Sequence, residues 1–184
     1  MDADRLELAL AFLNSRDGSR DMLSSARRAQ RWLAGETFTG VDSGFQRLLP
    51  AMHALAGAEP PGDAEVDAVR AIRDALLAWI EGVPFEAATL EQVSLKVDTG
   101  AESPALRPGG TGIRALAEHA FLVLLELSIA GESDRLHRCQ SDDCRWVFFD
   151  RSRNRSKVWC DMSGCGSRAK ARAYRARRSA RRAT

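Results

Sequence analysis

A chain of 184 residues, 45% hydrophobic and with a formal net charge of +2, can bury a core and has room for one domain plus a small second one. The near-neutral total hides a division: residues 134–184 hold 15 Lys/Arg against 5 Asp/Glu, leaving 12 against 20 for residues 1–133. A basic segment on an acidic body excludes a uniformly charged protein and points to a polyanion partner at one end.

In chain order, the opening stretch MDADRLELALAF has acidic residues where a secretion signal would be basic, and its apolar positions suit an amphipathic helix. Leu6, Leu8, Leu10, Phe12 and Leu13 fall in that helix, which should stop at the turn signal Asp17-Gly18. A second helix is predicted from Ser19 to Gly35, with Met22, Leu23, Ala26, Ala29 and Leu33 inward. A third covers Asp42 to Ala56 and ends at the breaker Glu59-Pro60-Pro61-Gly62. Asp63 is read as the N-cap of a fourth, carrying Val66, Val69, Ile72, Leu76, Leu77 and Ile80.

The helical pattern breaks at 89–107. Val93, Leu95 and Val97 alternate with Ser94 and Lys96 as in a half-buried strand, and Ser103 to Arg107 could pair with it in a small hairpin. Gly109-Gly110-Thr111-Gly112 then leads into a helix ending at Gly131 whose Phe121, Leu122, Leu124, Leu125, Leu127 and Ile129 are apolar almost all round, which predicts the centre of the core. The longest apolar stretch, Phe121 to Ala130, carries Glu126 and is about half the length a bilayer span needs. The expectation is a soluble, cytoplasmic protein with no membrane partner. The predicted fold is mainly α, of the α+β kind: a helical domain with a small hairpin over 1–133, then a four-cysteine domain ending in a basic helix over 134–184.

All four cysteines lie in that second part, as Cys139-x4-Cys144, a gap of fifteen, then Cys160-x4-Cys165. Two pairs on short turns are how a chain aims four thiolates at one tetrahedral Zn²⁺. Too little apolar sequence surrounds them for an independent core, so a staple is needed. Two disulfides are the rival, disfavoured in a reducing compartment. Cys139, Cys144, Cys160 and Cys165 would complete a closed, structural site for one zinc, with His137 left as a linker residue. Trp146-Val147-Phe148-Phe149 reads as a strand, with Val158-Trp159 returning alongside it, and Cys165 is placed where a helix begins.

Residues 164–182 are rich in helix formers and contain no proline. On a helical wheel Ala169, Ala173, Ala176 and Ala180 form a narrow stripe. Arg168, Arg172, Arg175, Arg178 and Arg182 flank it on one side; Lys170, Tyr174, Arg177 and Arg181 on the other. Two basic rails beside a flat alanine edge suit phosphate contacts on both sides of a close approach. Arg151, Arg153, Arg155 and Lys157, between the cysteine pairs, add to the charge. The candidate nucleic-acid contacts are these four with Arg168, Lys170, Arg172, Arg175 and Arg177; the plain alternative is a solvated tail.

The pattern CxxxxCxWxFxDxSRNxSKxWCxMxxCGSRxKAxxYRxR over Cys139 to Arg177 resembles the CGNR-type zinc fingers of bacterial proteins, matching at Cys139, Cys144, Phe148, Asp150, Trp159, Cys160, Met162, Cys165, Gly166, Arg168, Lys170 and Tyr174. The resemblance implies a zinc site with four cysteine ligands and DNA binding. One departure is visible: the family's Cys-Gly-Asn-Arg reads Cys165-Gly166-Ser167-Arg168 here, and Ser can make the local hydrogen bond of Asn. LALAFLNSRD near the start, with the helical body, resembles the ABATE domain of stress-induced transcription regulators, which implies an effector or sensor role.

No P-loop, HExxH or GxSxG is present, and no catalytic residue is expected. The glycine-rich segment 109–112 before a helix could cradle a phosphate but lacks the accompanying Lys, and is read as a turn. His53 and His119 are read as core or boundary histidines. Trp32 and Trp79 lie on apolar faces and could line an effector pocket; the body's apolar surface also permits a homodimer. The leading expectation is a DNA-binding transcription regulator. An RNA-binding zinc protein using Trp146, Phe148 or Tyr174 for stacking, and a cysteine-based redox sensor, are the alternatives.

Overall fold

The computed structural model describes residues 2–17, 20–36, 43–56, 59–100 and 104–181; Gly18, the predicted starts at Ser19, Asp42 and Ser103, and Arg182 lie outside the described residues. The chain divides into two compact units, Met1–Ser133 and Asp134–Thr184.

In the first unit, α1 (Ala3–Leu13) starts at Asp2, whose carboxylate accepts from the Asp4 N–H, and buries Leu6, Leu8, Ala9, Leu10, Phe12 and Leu13. The predicted second helix begins later than the sequence implied. Arg20–Asp21 pairs with Arg16–Asp17 in a two-residue ladder (β2 and β1), and α2 covers only Ala26–Leu33. The reason is a buried arginine. Arg73 is fully buried and grips the Asp21 carboxylate at 2.7 and 2.8 Å, with Ser15 Oγ at 3.1 Å. Asp21 also accepts from the Leu23 N–H, so these residues are held out of helical geometry. Burial acts against the Asp21 charge, but the hydrogen bonds and charge of Arg73 and the Leu23 amide outweigh it, and its pKa is lowered.

Helix α2 is capped by Ser25, accepting from Arg28, and by Asp63, whose carboxylate takes the Ala26 N–H at 3.0 Å. Asp63 therefore caps a neighbouring helix. Its own helix, α4 (Asp63–Ile80), has Gly62 at the N-cap. Val66, Val69, Ile72, Leu76 and Leu77 are buried along α4 as the spacing predicted. Helix α3 spans Ser43–Ala56, and a short α5 spans Ala87–Leu90.

Strands β3 (Leu95–Asp98) and β4 (Ala105–Pro108) form the predicted hairpin, with Val97 opposite Leu106. Val97 is nevertheless 62% exposed, because a two-stranded ribbon carries no second layer over its outer end. Helix α6 (Gly112–Ile129) is the hub, packing against α1, α3, α4 and β4. Its Leu122, Leu124 and Leu127 are buried, whereas Ile129 in the last turn is 79% exposed and leaves the predicted core. The buried Glu118 accepts from the Ser94 and Gly110 N–H groups at 3.0 and 2.7 Å, so the Gly110 amide a phosphate would need is already taken. His119 Nε2 donates to the Arg5 carbonyl at 3.0 Å, and burial lowers its pKa.

In the second unit, a 3₁₀ turn (Ser133–Arg135) leads into β5 (Leu136–Arg138), antiparallel to β6 (Val147–Phe149). The Cys139 N–H to Trp146 carbonyl bond extends the hairpin. Two expectations are corrected here. His137 is a strand residue, its ring 5.8 Å from that of Phe148, and not a linker. Val158 returns beside Gln140, whose N–H it accepts at 3.1 Å, and so lies along the other edge of the β5 segment. The chain ends in a π-helical turn, Met162–Gly166, running directly into α7 (Ser167–Ala180). No helix among the described residues is long and apolar enough to cross a membrane.

Candidate metal centre and nucleic-acid interface

Each cysteine is held by a different backbone device. Cys139 ends the extended hairpin, and Cys144 closes a turn by donating its N–H to the Ser141 carbonyl at 2.9 Å. Cys160 precedes Asp161, whose carboxylate caps the π turn by accepting from the Ser163 and Gly164 N–H groups at 3.2 and 2.6 Å. Cys165 is buried within that turn. A Cβ on its neighbour Gly166 would lie 2.4 Å from Met162 Sδ and 3.2 Å from Trp159 Cδ1, so the Met162 side chain would have to move aside. Phe148, 6% exposed, packs against Cys139 and Cys165, with Trp159 partly covering the group. Burial withdraws Phe148 from base stacking and leaves Trp146 and Tyr174, 38% and 58% exposed.

The four Sγ atoms all lie within 4.8 Å of one another, and Cys144–Cys160 and Cys160–Cys165 are each 3.7 Å apart. A disulfide would bring sulfurs to about 2.05 Å, and all four thiols are free. Sulfurs about 2.3 Å from a tetrahedral zinc stand about 3.8 Å apart. The donor set therefore fits zinc and not a pair of bridges.

The titration behaviour shows why a cation is needed. Burial raises the Cys139 pKa, but the Cys160 and Ser141 amides and the Cys160 and Cys165 thiols hydrogen-bond its thiolate and lower it overall. Cys144 is pushed up to about 11, by burial first and then by the charge of Cys139, against the Trp146 amide. Cys160 is raised further by burial, its bond to Cys139 and the charge on Cys144. Cys139 is eased toward its thiolate while Cys144 and Cys160 resist, so collecting the thiolates takes a divalent ion at the centre.

Asp150, matched to the finger pattern in the sequence but given no role there, is a supporting residue. Fully buried, it accepts from the Ser152 and Lys157 N–H groups at 2.7 and 2.8 Å and fixes the basic loop between the cysteine pairs. Burial opposes its charge, yet those bonds hold its pKa at about 2. The signal was present in the order Asp150-x-Ser152, an Asx-turn signature, as it was in Asp161-x-Ser163. Ser167, in the place of the family Asn, donates from Oγ to the Met162 carbonyl at 3.1 Å, a local bond of the kind Asn would make.

The structure separates the candidate nucleic-acid residues by what they touch. Arg151, Arg153, Lys170, Arg175 and Arg177 are exposed. Arg155, in left-handed conformation at φ 50°, pairs with Asp134, and the Lys157 ammonium sits 5.0 Å from the Phe148 ring centre. Arg168, also exposed, and half-buried Arg172 contact the cysteine turns. Arg168 Nη2 donates to Cys165 Sγ at 3.1 Å, and Arg172 lies 3.9 and 4.0 Å from the carboxylates of Asp142 and Asp143. The two rails are therefore not equivalent. No side chain of α7 is buried.

A free four-thiol cluster at zinc spacing, joined to an exposed basic helix, defines a zinc-finger protein with one zinc. Residues 135–178 match the CGNR zinc finger. The chain belongs to the ABATE family, described as "Putative stress-induced transcription regulator", whose model matches residues 6–132. That description names a regulator and not an enzyme. No curated protein matches the chain.

Proposed function

We propose that this protein is a cytoplasmic, DNA-binding transcription regulator. Zinc held by Cys139, Cys144, Cys160 and Cys165 presents α7 to duplex DNA, and the acidic helical unit serves as the effector or dimerisation part. The observation that supports this most is the direct run of the cysteine turn into an exposed basic helix. A helix rooted at a metal site has its direction fixed before binding, which lowers the ordering cost of engaging a groove. Arg151, Arg153, Lys170, Arg175 and Arg177 supply phosphate contacts, and Arg155 and Lys157 can exchange their present partners for phosphates on the same loop.

The test is binding of the zinc-loaded chain to duplex DNA across a salt series. With five phosphates neutralised, the log–log slope is about −4.5. A flat dependence would remove the electrostatic basis of the reading. The exposed Trp146 and Tyr174 favour a second reading, single-stranded RNA recognised by stacking, and preference for RNA of matched length in competition would select it.

A further inference from the structure

We infer that Arg168 is a built-in counter-ion of the metal site, a positioning residue that fastens the start of α7 to the thiolates and does not contact nucleic acid. The inference rests on zinc ligation by the four cysteines but not on DNA binding.

Its first support is contact. The guanidinium Nη2 stands 3.1 Å from Cys165 Sγ, the separation of a charge-assisted hydrogen bond to a thiolate. Its second is charge. Four thiolates around one Zn²⁺ leave two negative charges in a partly buried site. Neutral amides serve two of the other sulfurs: the Ser141 and Cys160 N–H groups on Cys139, and the Trp146 N–H on Cys144. Arg168 brings a full positive charge to the cluster.

Its third support is the helix itself. At about 100° per residue, Arg172 points within about 40° of Arg168. It reaches Asp142 and Asp143, which lie in the turn between the first two cysteines. One face of α7 thus addresses both halves of the metal site: Arg168 the second cysteine pair, Arg172 the first. Lys170, Tyr174 and Arg177 point roughly half a turn away. That open face offers charge and an aromatic ring without taking apart the contacts to the cysteine turns, and exposed Arg175, about 20° from Arg168 but two turns further along, adds charge beyond them. Outer-sphere donors of this kind orient ligands and hold metal, and losing one typically lowers metal affinity about 10–100-fold.

Three full-length variants test this: Arg168→Met keeps the length and removes the charge, Arg168→Lys keeps the charge and removes the planar fork, and Lys170→Met removes a charge from the open face. Zinc affinity is read by competition with a chromogenic chelator, and the salt slope of duplex DNA binding is read at saturating zinc. Arg168→Met should weaken zinc about 10–100-fold and leave the slope at the wild-type value. Arg168→Lys should fall between Arg168→Met and wild type. Lys170→Met should hold zinc like wild type and lose about 0.9 from the magnitude of the slope.

Should Arg168→Met fail to fold, Arg168→Lys decides: weaker zinc binding supports the inference and unchanged binding overturns it. Wild-type zinc affinity in Arg168→Met, or a slope loss equal to that of Lys170→Met, would also overturn it. Wild-type protein that binds no DNA, with zinc weakened in Arg168→Met, would defeat the regulator reading and leave this one standing.

Discussion

Removing zinc from the full-length protein should unfold one unit and spare the other. Among the described residues of 134–184 the buried apolar side chains apart from cysteine are Leu136, Val147 and Phe148, at 4%, 3% and 6% exposed. At about 1.5–3 kcal/mol each, they contribute about 5–9 kcal/mol. A structural zinc contributes about 10–16 kcal/mol to a small finger, more than the apolar core of this unit. No residue of helix α7 is buried, and its contacts through Arg168 and Arg172 go to the cysteine turns that the metal orders. Chelation should therefore abolish β5, β6 and α7, lowering the far-ultraviolet circular dichroism by the share that the 14 residues of α7 represent. The remaining spectrum, from α1 to α6, should still melt cooperatively. Zinc should restore the lost signal and magnesium should not, because magnesium prefers oxygen ligands. Protein shown to be metal-free yet unchanged in helix content would refute the reasoning.

Other consequences concern the first unit. Arg73→Met leaves the half-buried Asp21 carboxylate without its partner and should cost about 3 kcal/mol in urea unfolding, at the low end for a broken buried pair because Asp21 still reaches solvent; no loss would contradict the pairing. The pKa of Asp21 is lowered in the folded state, so its contribution is present above the ordinary carboxylate value of about 3.9 and is lost as pH falls through the lower folded value. The stability gap between wild type and Asp21→Asn should accordingly close on acidification below about pH 4, and a gap that widens there would reverse the sign. Glu118→Ala releases the Ser94 and Gly110 amides and should cost about 2 kcal/mol, with faster amide exchange at those two positions. Unchanged exchange would show that Glu118 is not their acceptor.

Periodicity made much of this legible, because apolar spacing alone places Val66, Val69, Ile72, Leu76 and Leu77 on one face of α4. It gave no reading of Arg73, which sits four residues after Val69 on that same face and is buried. A spacing rule assigns such a residue to solvent, and its burial becomes tolerable through the Asp21 carboxylate, 52 positions away, together with Ser15 and the adjacent Asp74. The same pair displaced the start of α2, so one long-range ion pair accounts for two departures. The cysteine spacing pointed to a single cluster because four donors must converge on one ion. The direction of each arginine on α7 was not legible: a wheel shows two symmetrical rails, whereas the fold places a thiolate and two aspartates beside one of them. Tertiary neighbours, and not helix phase, decide which face is open.

The most direct test of the regulator account is selection of bound fragments from a genomic DNA library with the zinc-loaded full-length protein at near-physiological salt. The account predicts a reproducible enriched sequence motif that disappears with Cys165→Ser, in which the metal cluster loses a ligand. Enrichment of no motif, or the same motif recovered with Cys165→Ser, would contradict it.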